Sequence, residues 1–494
     1  MNTESYQAIE AHKQMQPETI RPEVTQAIYQ SIEQRFSTGT LVLPTEGGFK
    51  MLDPHEQMRQ CKERYLAFRP ALVMTEHGTA TADLNMHDFD GTSVLEGVDE
   101  DKRGSEANKS RPEALSVAAF AYNGIEANPD AVPQYHAVMT RLRDQYPGHD
   151  AFQVELHRLM EQISADSTVE QNYGPKRRNG IATGRTLGEI LIIKDSVEEH
   201  GGTADGLLAS EDGTVIGIPK DMLLDENGEP NEDILNIAIF KTFVAANKVD
   251  TSDYTAIQAA MQRFLDIRSH GGWGYVDAGD RYIANLTDHT IHDFAPVVDR
   301  AREIGAAAGY QVITSMDEGN DELVQRFGDH CGHHDEQGNV KEYVTRAALD
   351  RKSSVVLLMP EDPVLFQQMQ QEIQEAADAQ GIEVRGAHTD ILELHFPGDN
   401  KSKSILFADA LSQARFGIPA APNVYGNKHN DIPLLETAIQ LGGHGALMPD
   451  PDGNPYLPTE LIPPGVVIAQ REHAFGLVQT KADFARKDRM RSVN

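Results

Sequence analysis

Short apolar runs bounded by turn residues recur along the chain and predict buried strands. They fall at 71–74, 180–182, 355–359, 382–384, 391–396, 424–425, 446–448 and 466–469, and a less apolar run at 84–87 is a further candidate. Apolar residues at helical spacing predict helices at 233–246, 255–267, 294–308, 363–379, 404–414 and 432–441, whereas 187–193 fits either a helix or a buried strand. Strands alternate with helices in the last hundred residues, which predicts a parallel sheet covered on both faces.

Several features of this pattern divide the chain. With 494 residues it exceeds one ordinary domain of roughly 150 residues. We predict an α/β fold with a doubly wound parallel-sheet core, an inserted α+β domain and extra helical segments. The predicted units are an N-terminal helical extension at 1–70, a first core part at 71–195 with a helical insertion at about 105–170, the α+β domain at 196–399, and a second core part at 400–494. Within them, Asp212-Gly213 predicts the tight turn of a hairpin over 207–216.

Charge and composition exclude several classes of protein. The net charge of −32 repels nucleic acid and anionic membranes, so we expect neither as a partner. No apolar run reaches the roughly 18 residues of a membrane span. The start of the sequence lacks a basic and apolar leader, and the 2 cysteines cannot build a disulfide framework. We therefore expect a cytoplasmic protein, although a secretion signal without hydrophobic character would escape this test.

Polar residues with chemical potential follow three of the predicted strands. Asp88-Phe89-Asp90-Gly91-Thr92 follows 84–87, Thr183-Gly184-Arg185 follows 180–182, and Gly426-Asn427-Lys428-His429-Asn430-Asp431 follows 424–425. The carboxyl ends of parallel strands are where open α/β sheets bind ligands, and carboxylates there suit Mg²⁺. Each segment alone is also consistent with an ordinary turn or a helix N-cap.

Taken together and in this order, the three segments resemble motifs of the haloacid dehalogenase superfamily of phosphohydrolases. Lys401 and Lys403, after 391–396, resemble the position of that superfamily's motif lysine, and spacing leaves the choice between the two open. The roughly 200 residues before them are similar to the large α+β cap of Cof-type, sucrose-phosphate and mannosyl-3-phosphoglycerate phosphatases. The resemblance implies a haloacid dehalogenase-like core carrying such a cap domain.

The resemblance also implies roles for individual residues. Asp88 would be the nucleophile, forming an aspartyl-phosphate, and Asp90 would be the general acid and then the general base. The phosphoryl oxygens would be bound by the second segment and the motif lysine: Thr183, Gly184, Arg185, and Lys401 or Lys403. Mg²⁺ would be held by the first and third segments: Asp88, the Asp90 backbone carbonyl, Asp431, Asn427 and Asn430. Asn427 departs from the pattern, because relatives usually have an aspartate there.

The leading hypothesis is a Mg²⁺-dependent phosphatase for a sugar phosphate or another small phosphorylated metabolite. One alternative is a catalytically weakened relative that binds a phospho-ligand or a protein partner, as Asn427 suggests. Another is a phosphoprotein phosphatase that docks its target through the helical additions. The only tryptophan, Trp273, is interpreted either as a platform for a sugar or as a packed aromatic residue, and Arg177 and Arg178 are expected to be solvated.

Overall fold

The computed structural model describes residues 42–45, 48–51, 71–90, 92–94, 177–199, 202–225, 228–317, 321–331, 333, 338–388, 390–450, 452–471 and 473–492. The predicted helical insertion at about 105–170 lies outside these residues. Most of the predicted helical extension at 1–70 does so too. Its described part, 42–45 and 48–51, differs from the expectation, because it forms an antiparallel pair of strands instead of a helix.

The strands and helices of the described residues are labelled here in chain order. The strands are β1 Val42–Thr45, β2 Gly48–Met51, β3 Leu72–Thr75, β4 Gly78–Thr81, β5 Leu84–His87, β6 Arg178–Ala182, β7 Leu208–Ser210, β8 Val215–Pro219, β9 Tyr275–Asp277, β10 Arg281–Asn285, β11 Ile313–Thr314, β12 Ser354–Leu358, β13 Glu383–His388, β14 Ile391–His395, β15 Asn423–Gly426, β16 His444–Leu447 and β17 Val467–Ile468. The helices are α1 Leu187–Glu199, α2 Glu232–Ala246, α3 Tyr254–Ser269, α4 Ala295–Ala307, α5 Asp321–Cys331, α6 Glu342–Leu349, α7 Pro363–Asp378, α8 Ser402–Phe416, α9 Ile432–Gln440 and α10 His473–Arg491.

A nine-stranded sheet is the centre of the described structure, with the strand order β17-β16-β15-β5-β6-β7-β8-β10-β9. The six strands from β17 to β7 pair in parallel. The last three strands, β8, β10 and β9, extend the sheet by antiparallel pairing. Because β5 lies between β6 and β15, the three predicted site segments leave the sheet side by side.

Helices cover both faces of this sheet. Leu84 and Met86 of β5 join a buried core with α2, α3, α8 and α9. Ile181 of β6 packs on the opposite side against α1. On that side His87 of β5 also contacts Tyr425, which in turn contacts Phe484 of α10. The prediction of an α/β fold with a doubly wound parallel sheet is confirmed.

A second sheet of four antiparallel strands, in the order β11-β12-β14-β13, lies within the predicted cap range. Apolar residues of α4 and α7 form one core with it, and residues of α5 and α6 form another. Asp362 caps α7 as predicted, because its side chain accepts hydrogen bonds from the backbone N–H groups of Val364 and Leu365 at 3.0 and 2.9 Å. The strands at 208–285 hydrogen-bond in the central sheet, and the boundaries assigned to the domains stay predictions.

The turn between β7 and β8 follows the hairpin prediction. Asp212 has φ 54° and Gly213 has φ 84°, the left-handed conformation that an Asp-Gly turn supplies. Glu211 also has a positive φ of 46°. A Cβ at Gly213 would lie 3.0 Å from the Cα of Lys401, so this turn lies directly against the start of α8.

A buried ion pair joins α10 to the central sheet. Arg177 is buried and donates to one oxygen of Asp488 from Nη2 at 2.8 Å and from Nε at 3.1 Å. The expectation that Arg177 is solvated was wrong. Its partner, Asp488, lies 311 residues later in the chain, so the local sequence gives no sign of the pair. His444 Nε2 lies 3.2 Å from the other Asp488 oxygen. Burial opposes ionisation of Asp488, but Arg177 and His444 hold the pKa of this carboxyl well below its usual range.

The side chains that α10 covers on the sheet are largely polar. Asn85 of β5 donates to Asn179 Oδ1 of β6 at 3.3 Å, and Lys481 of α10 donates to the same oxygen at 2.9 Å. Burial, together with the positive charge of Lys481, holds the pKa of His87 well below its usual value. This polar layer explains why 84–87 is less apolar than a central parallel strand usually is. Over the part of the chain that the structure describes, no helix combines the length and apolar character that a membrane crossing requires.

We predict that Asp488→Asn destabilises the protein by about 3–5 kcal/mol, because it leaves the buried Arg177 guanidinium without its counter-charge. The folded pKa of Asp488 lies below the unfolded one, so the carboxylate stabilises the fold above about pH 4, and this contribution is lost as the pH falls further. Denaturant unfolding at several pH values measures both effects.

The matched control is Asp483→Asn on the same helix. Asp483 pairs with Arg486, and the two side chains are 42 % and 41 % exposed. An exposed pair of this kind contributes about 0–1 kcal/mol. Equal losses in the two variants would mean that the Arg177–Asp488 pair does not anchor α10.

Candidate active site

Three parallel strand ends bring the predicted site segments together. The backbone N–H of Asp88, directly after β5, donates to the Tyr425 carbonyl of β15 at 2.9 Å. That of Thr183, directly after β6, donates to the Ala209 carbonyl of β7 at 3.0 Å. Asn427 follows β15 directly. The strand order therefore assembles at one sheet edge what the sequence separates by more than 300 residues.

Lys401 connects two of these strand ends. It is the N-cap residue of α8, and its Nζ lies 2.7 Å from Asp88 Oδ1 and 2.7 Å from Asp431 Oδ1. All three side chains are buried. The second Asp431 oxygen accepts the backbone N–H groups of Asn427 and Lys428 at 2.8 and 3.1 Å, which fixes the loop after β15.

Gly426 makes the close approach of Asp431 possible. A Cβ at this position would lie 2.5 Å from the Asp431 Cβ and 2.7 Å from one of its carboxylate oxygens. No side chain fits there without moving the aspartate. The Gly-Asn sequence at the end of β15 is therefore part of what positions the second carboxylate.

The cluster of Asp88, Lys401 and Asp431 contains two carboxyl groups but only one ammonium group. Burial and the nearby charge of Asp431 raise the pKa of Asp88 to about 7, although Lys401 opposes the rise. Burial alone would lower the pKa of Lys401, but the two carboxylates raise it above its usual value. One ammonium is thus shared by two buried carboxylates, so a further cation at the cluster would favour the ionised form of Asp88.

The structure distinguishes the two candidate lysines by position. Lys403 faces away from the cluster: its Nζ donates to the Leu286 carbonyl at 2.9 Å and pairs with Asp399. It also lies 5.5 Å from the ring centroid of Trp273. That tryptophan is buried, packs edge-on against Phe243 and donates to Asp288 from Nε1 at 2.6 Å. Trp273 is a packed aromatic residue of the core, and Lys401 is the lysine beside Asp88.

The donor set around Asp88 fits Mg²⁺, which prefers oxygen ligands. The Asn427 side chain is buried, and its Oδ1 has no hydrogen-bond partner, an arrangement that a bound ion or its water shell would satisfy. In the described residues no three carboxylate, imidazole or thiol groups converge as a metal cluster. A shell would therefore combine Asp88 and Asp431 with the Asn427 amide and the Asp90 backbone carbonyl. Asn430, the remaining candidate, is exposed.

The second segment lies beside Asp90. Arg185 donates to the two Asp90 oxygens, from Nε at 3.1 Å and from Nη2 at 3.4 Å, and from Nη1 to Glu189 at 2.7 Å. Thr183 is buried, and its Oγ1 accepts the backbone N–H of Arg185 at 3.4 Å. The sequence analysis did not single out Glu189, although Thr186 and Glu189 carry the spacing of a capping box.

Asp212 is a second residue of this region that sequence reasoning missed. Its Oδ1 is buried without a hydrogen-bond partner, and it lies 3.4 Å from where a Cβ at Gly184 would be. Its Oδ2 accepts from Arg385 of β13 at 2.9 Å, which joins the second sheet to the site. The Asp-Gly signal at 212–213 predicts a turn, but only the strand order brings that turn next to the Thr183 loop.

Thr92 and Ser93 hold the segment that carries the first aspartate. Thr92 Oγ1 donates to Asp88 Oδ2 at 3.3 Å, and Ser93 Oγ donates to the Asp88 carbonyl at 2.8 Å. Each Asp88 oxygen therefore has a hydrogen-bond donor, Lys401 on one and Thr92 on the other. The carboxylate is fixed in orientation before any substrate binds.

Comparison with solved structures yields haloacid dehalogenase-type proteins. The chain is similar to a haloacid dehalogenase-like hydrolase from Bacteroides thetaiotaomicron, with 12% identity and a TM-score of 0.38 over 81% of this chain and 99% of the other. It is similar to the sucrose-phosphatase of Synechocystis, with 10% identity and a TM-score of 0.31 over 81% and 97%. It is also similar to the trehalose-6-phosphate phosphatase of Aspergillus fumigatus, with 12% identity and a TM-score of 0.29 over 88% of this chain and 98% of the other.

The first of these proteins is named for the superfamily that the motifs of this chain resemble. No family model matches the sequence. No curated protein matches it either. At such identities and TM-scores the activities of the similar structures do not transfer to this chain, so its function has to be argued from the site.

Asn427→Asp tests whether this residue belongs to a metal shell. We predict that the variant is less stable than the wild type without metal, because a third buried carboxylate joins Asp88 and Asp431. Mg²⁺ should then raise its melting temperature more than it raises that of the wild type, which thermal unfolding with and without Mg²⁺ measures.

The matched control is Asn454→Asp in an exposed loop, which makes the same change in net charge. An equal Mg²⁺ response in both variants would indicate a general charge effect on a chain that already carries −32. Asn427 would then be a turn residue and not a metal ligand.

Proposed function

We propose that this protein is a Mg²⁺-dependent phosphomonoester hydrolase that acts through an aspartyl-phosphate intermediate. The observation that carries the proposal is the buried Lys401, shared by Asp88 and Asp431 at the edge where parallel strands end. A carboxylate beside an ammonium group can attack phosphorus while the ammonium binds phosphoryl oxygens. The resemblance of three sequence segments to haloacid dehalogenase motifs supports the same chemistry.

In the first step, an Asp88 oxygen attacks phosphorus, and the bond from phosphorus to the leaving oxygen breaks. Asp90 gives its proton to that oxygen, so the alcohol leaves neutral. Lys401 and the Thr183 hydroxyl bind the phosphoryl oxygens as charge spreads over them in the transition state. Thr92 holds the second Asp88 oxygen during this step.

In the second step, water attacks the phosphorus of the aspartyl-phosphate, and Asp90 takes a proton from it. The bond from phosphorus to Asp88 breaks, which releases phosphate and restores both aspartates. The groups that would hold Mg²⁺ are the Asp88 and Asp431 carboxylates, the Asn427 amide and the Asp90 backbone carbonyl. When bound, the ion supplies positive charge that reduces repulsion between an anionic nucleophile and an anionic phosphate.

The substrate class proposed is a sugar phosphate or another small phosphorylated metabolite. Its support is the second sheet, which the Arg385–Asp212 pair joins to the site, so that side chains of this sheet could select among small substrates. The experiment is a panel of sugar phosphates and phosphopeptides with Mg²⁺, with phosphate release measured. Release from phosphopeptides alone would favour a phosphoprotein phosphatase, and no release from any substrate would favour a phospho-ligand binding protein.

Asp88→Asn should abolish turnover and leave the fold intact. It removes the attacking carboxylate with almost no change in volume, so we expect an unchanged circular dichroism spectrum and no phosphate release above background. Normal turnover by this variant would contradict the aspartyl-phosphate mechanism. The control is His77→Asn, at a half-exposed position away from the Asp88 cluster. This variant should not change the rate of phosphate release.

Asp90→Asn should impair hydrolysis of alkyl phosphates by about 10²-fold or more, the usual contribution of a general acid or base. An aryl phosphate needs less protonation of its leaving oxygen, so its first step should be partly rescued. A burst of aryl alcohol followed by slow turnover, measured by stopped-flow absorbance, would be the expected result. Equal impairment of both substrates in the burst phase would contradict the role of Asp90 as the acid.

A further inference from the structure

Arg185 is held between two carboxylates, those of Asp90 and Glu189. On one side its Nε and Nη2 atoms face Asp90, and on the other its Nη1 donates to Glu189 at 2.7 Å. The Arg185 and Glu189 side chains are largely buried, with 12 % and 7 % exposed. A planar guanidinium bound on two edges is fixed in direction, and it fixes the carboxylate that it faces.

Glu189 is itself fixed by the start of α1. Its Oε2 accepts from the backbone N–H of Thr186 at 3.3 Å, while its own N–H donates to Thr186 Oγ1 at 3.3 Å. This is the reciprocal arrangement of a capping box, here with a further bond to Arg185. The Glu189 carboxylate therefore links the position of the Arg185 guanidinium to that of the α1 N-terminus.

The same helix end contacts the region of the second sheet. Thr186 Oγ1 donates to the Ala347 carbonyl of α6 at 2.7 Å. His333, which follows α5, lies with Nε2 4.0 Å from Glu189 Oε1. A Cβ at Gly188 would lie 3.0 Å from the Ala347 Cβ, so α1 and α6 pack closely at this point.

We propose that Glu189 is a positioning residue for the acid and base step: it holds Arg185, and Arg185 holds the Asp90 carboxyl group toward the leaving oxygen. This inference rests on the proposed function. It assigns Arg185 to the orientation of Asp90, in contrast to the phosphoryl contact that the motif resemblance implies. It also makes proton transfer depend on the packing of α6 against α1.

The test compares two substrates with different leaving groups in the Glu189→Gln variant. Glutamine keeps the volume and the capping box but removes the charge that anchors Arg185. For an alkyl phosphate such as glycerol phosphate, which needs protonation of its leaving oxygen, kcat should fall about tenfold or more. For p-nitrophenyl phosphate, which does not, the rate constant of the burst phase should change by less than about threefold, and KM for the alkyl phosphate should stay within about twofold.

A second variant keeps the test independent of any loss of stability in the first. Arg185→Lys keeps the positive charge but loses the planar two-edged contact, so it should show the same selective loss on the alkyl phosphate. The matched control is Glu198→Gln, which removes the ion pair with Lys194 further along α1 and should leave both substrates unaffected.

Two results would overturn the inference while leaving the proposed function intact. A loss in the p-nitrophenyl phosphate burst phase as large as the kcat loss on the alkyl phosphate would mean that Glu189 only supports the fold. A raised KM with kcat retained would mean that Arg185 binds the phosphoryl group. Failure of the proposed function is distinguishable, because wild-type protein would then release no phosphate from either substrate, or Asp88→Asn would retain the wild-type rate.

Discussion

The described structure depends on one constraint: a buried ammonium group, that of Lys401, has to meet two buried carboxylates. Removing three charges from water is costly unless each finds its partner at hydrogen-bond distance. Asp88, Lys401 and Asp431 come from three separate segments, so the contact requires β5 and β15 to be neighbours and α8 to begin at their ends. The strand order, the glycine at 426 and the turn at 211–213 all serve this contact.

Charge also governs how the rest of the site is arranged. At the sheet edge, three cations each contact two carboxylates. Lys401 contacts Asp88 and Asp431, Arg185 contacts Asp90 and Glu189, and Arg385 contacts Asp212 and Glu383. An anionic substrate can enter such a site only if cations are added or released from these pairs. A divalent metal is the simplest addition, and it agrees with the partnerless amide of Asn427.

Local signals carried most of what the sequence predicted correctly. The Asp-Gly turn, the Asp-Pro start of α7 and the strands that end at Asp88, Thr183 and Asn427 each depend on a few neighbouring residues. The choice between Lys401 and Lys403 could not be predicted, because it depends on which face of the first turn of α8 lies against the strand ends. Arg177 was misinterpreted for the same reason: its burial depends on Asp488, far away along the chain. Glu189 carried a readable signal, the Thr186 capping box, whose second partner only the fold supplies.

The polar layer between the central strands and α10 has a consequence for the order in which the protein folds. Asn85, His87 and Asn179 are made early during synthesis, whereas Lys481 and Asp488 are made some 300 to 400 residues later. Until then, the part of the central strands that α10 covers carries polar side chains, which are poorly suited to packing against an apolar surface. The nascent sheet therefore stays hydrated on that side, and its last layer forms only when residues 473–491 reach it. A ribosome-bound chain would keep the strand that precedes Asp88 uncovered on that side until residues 473–491 have been made, which delays completion of the sheet edge that carries Asp88.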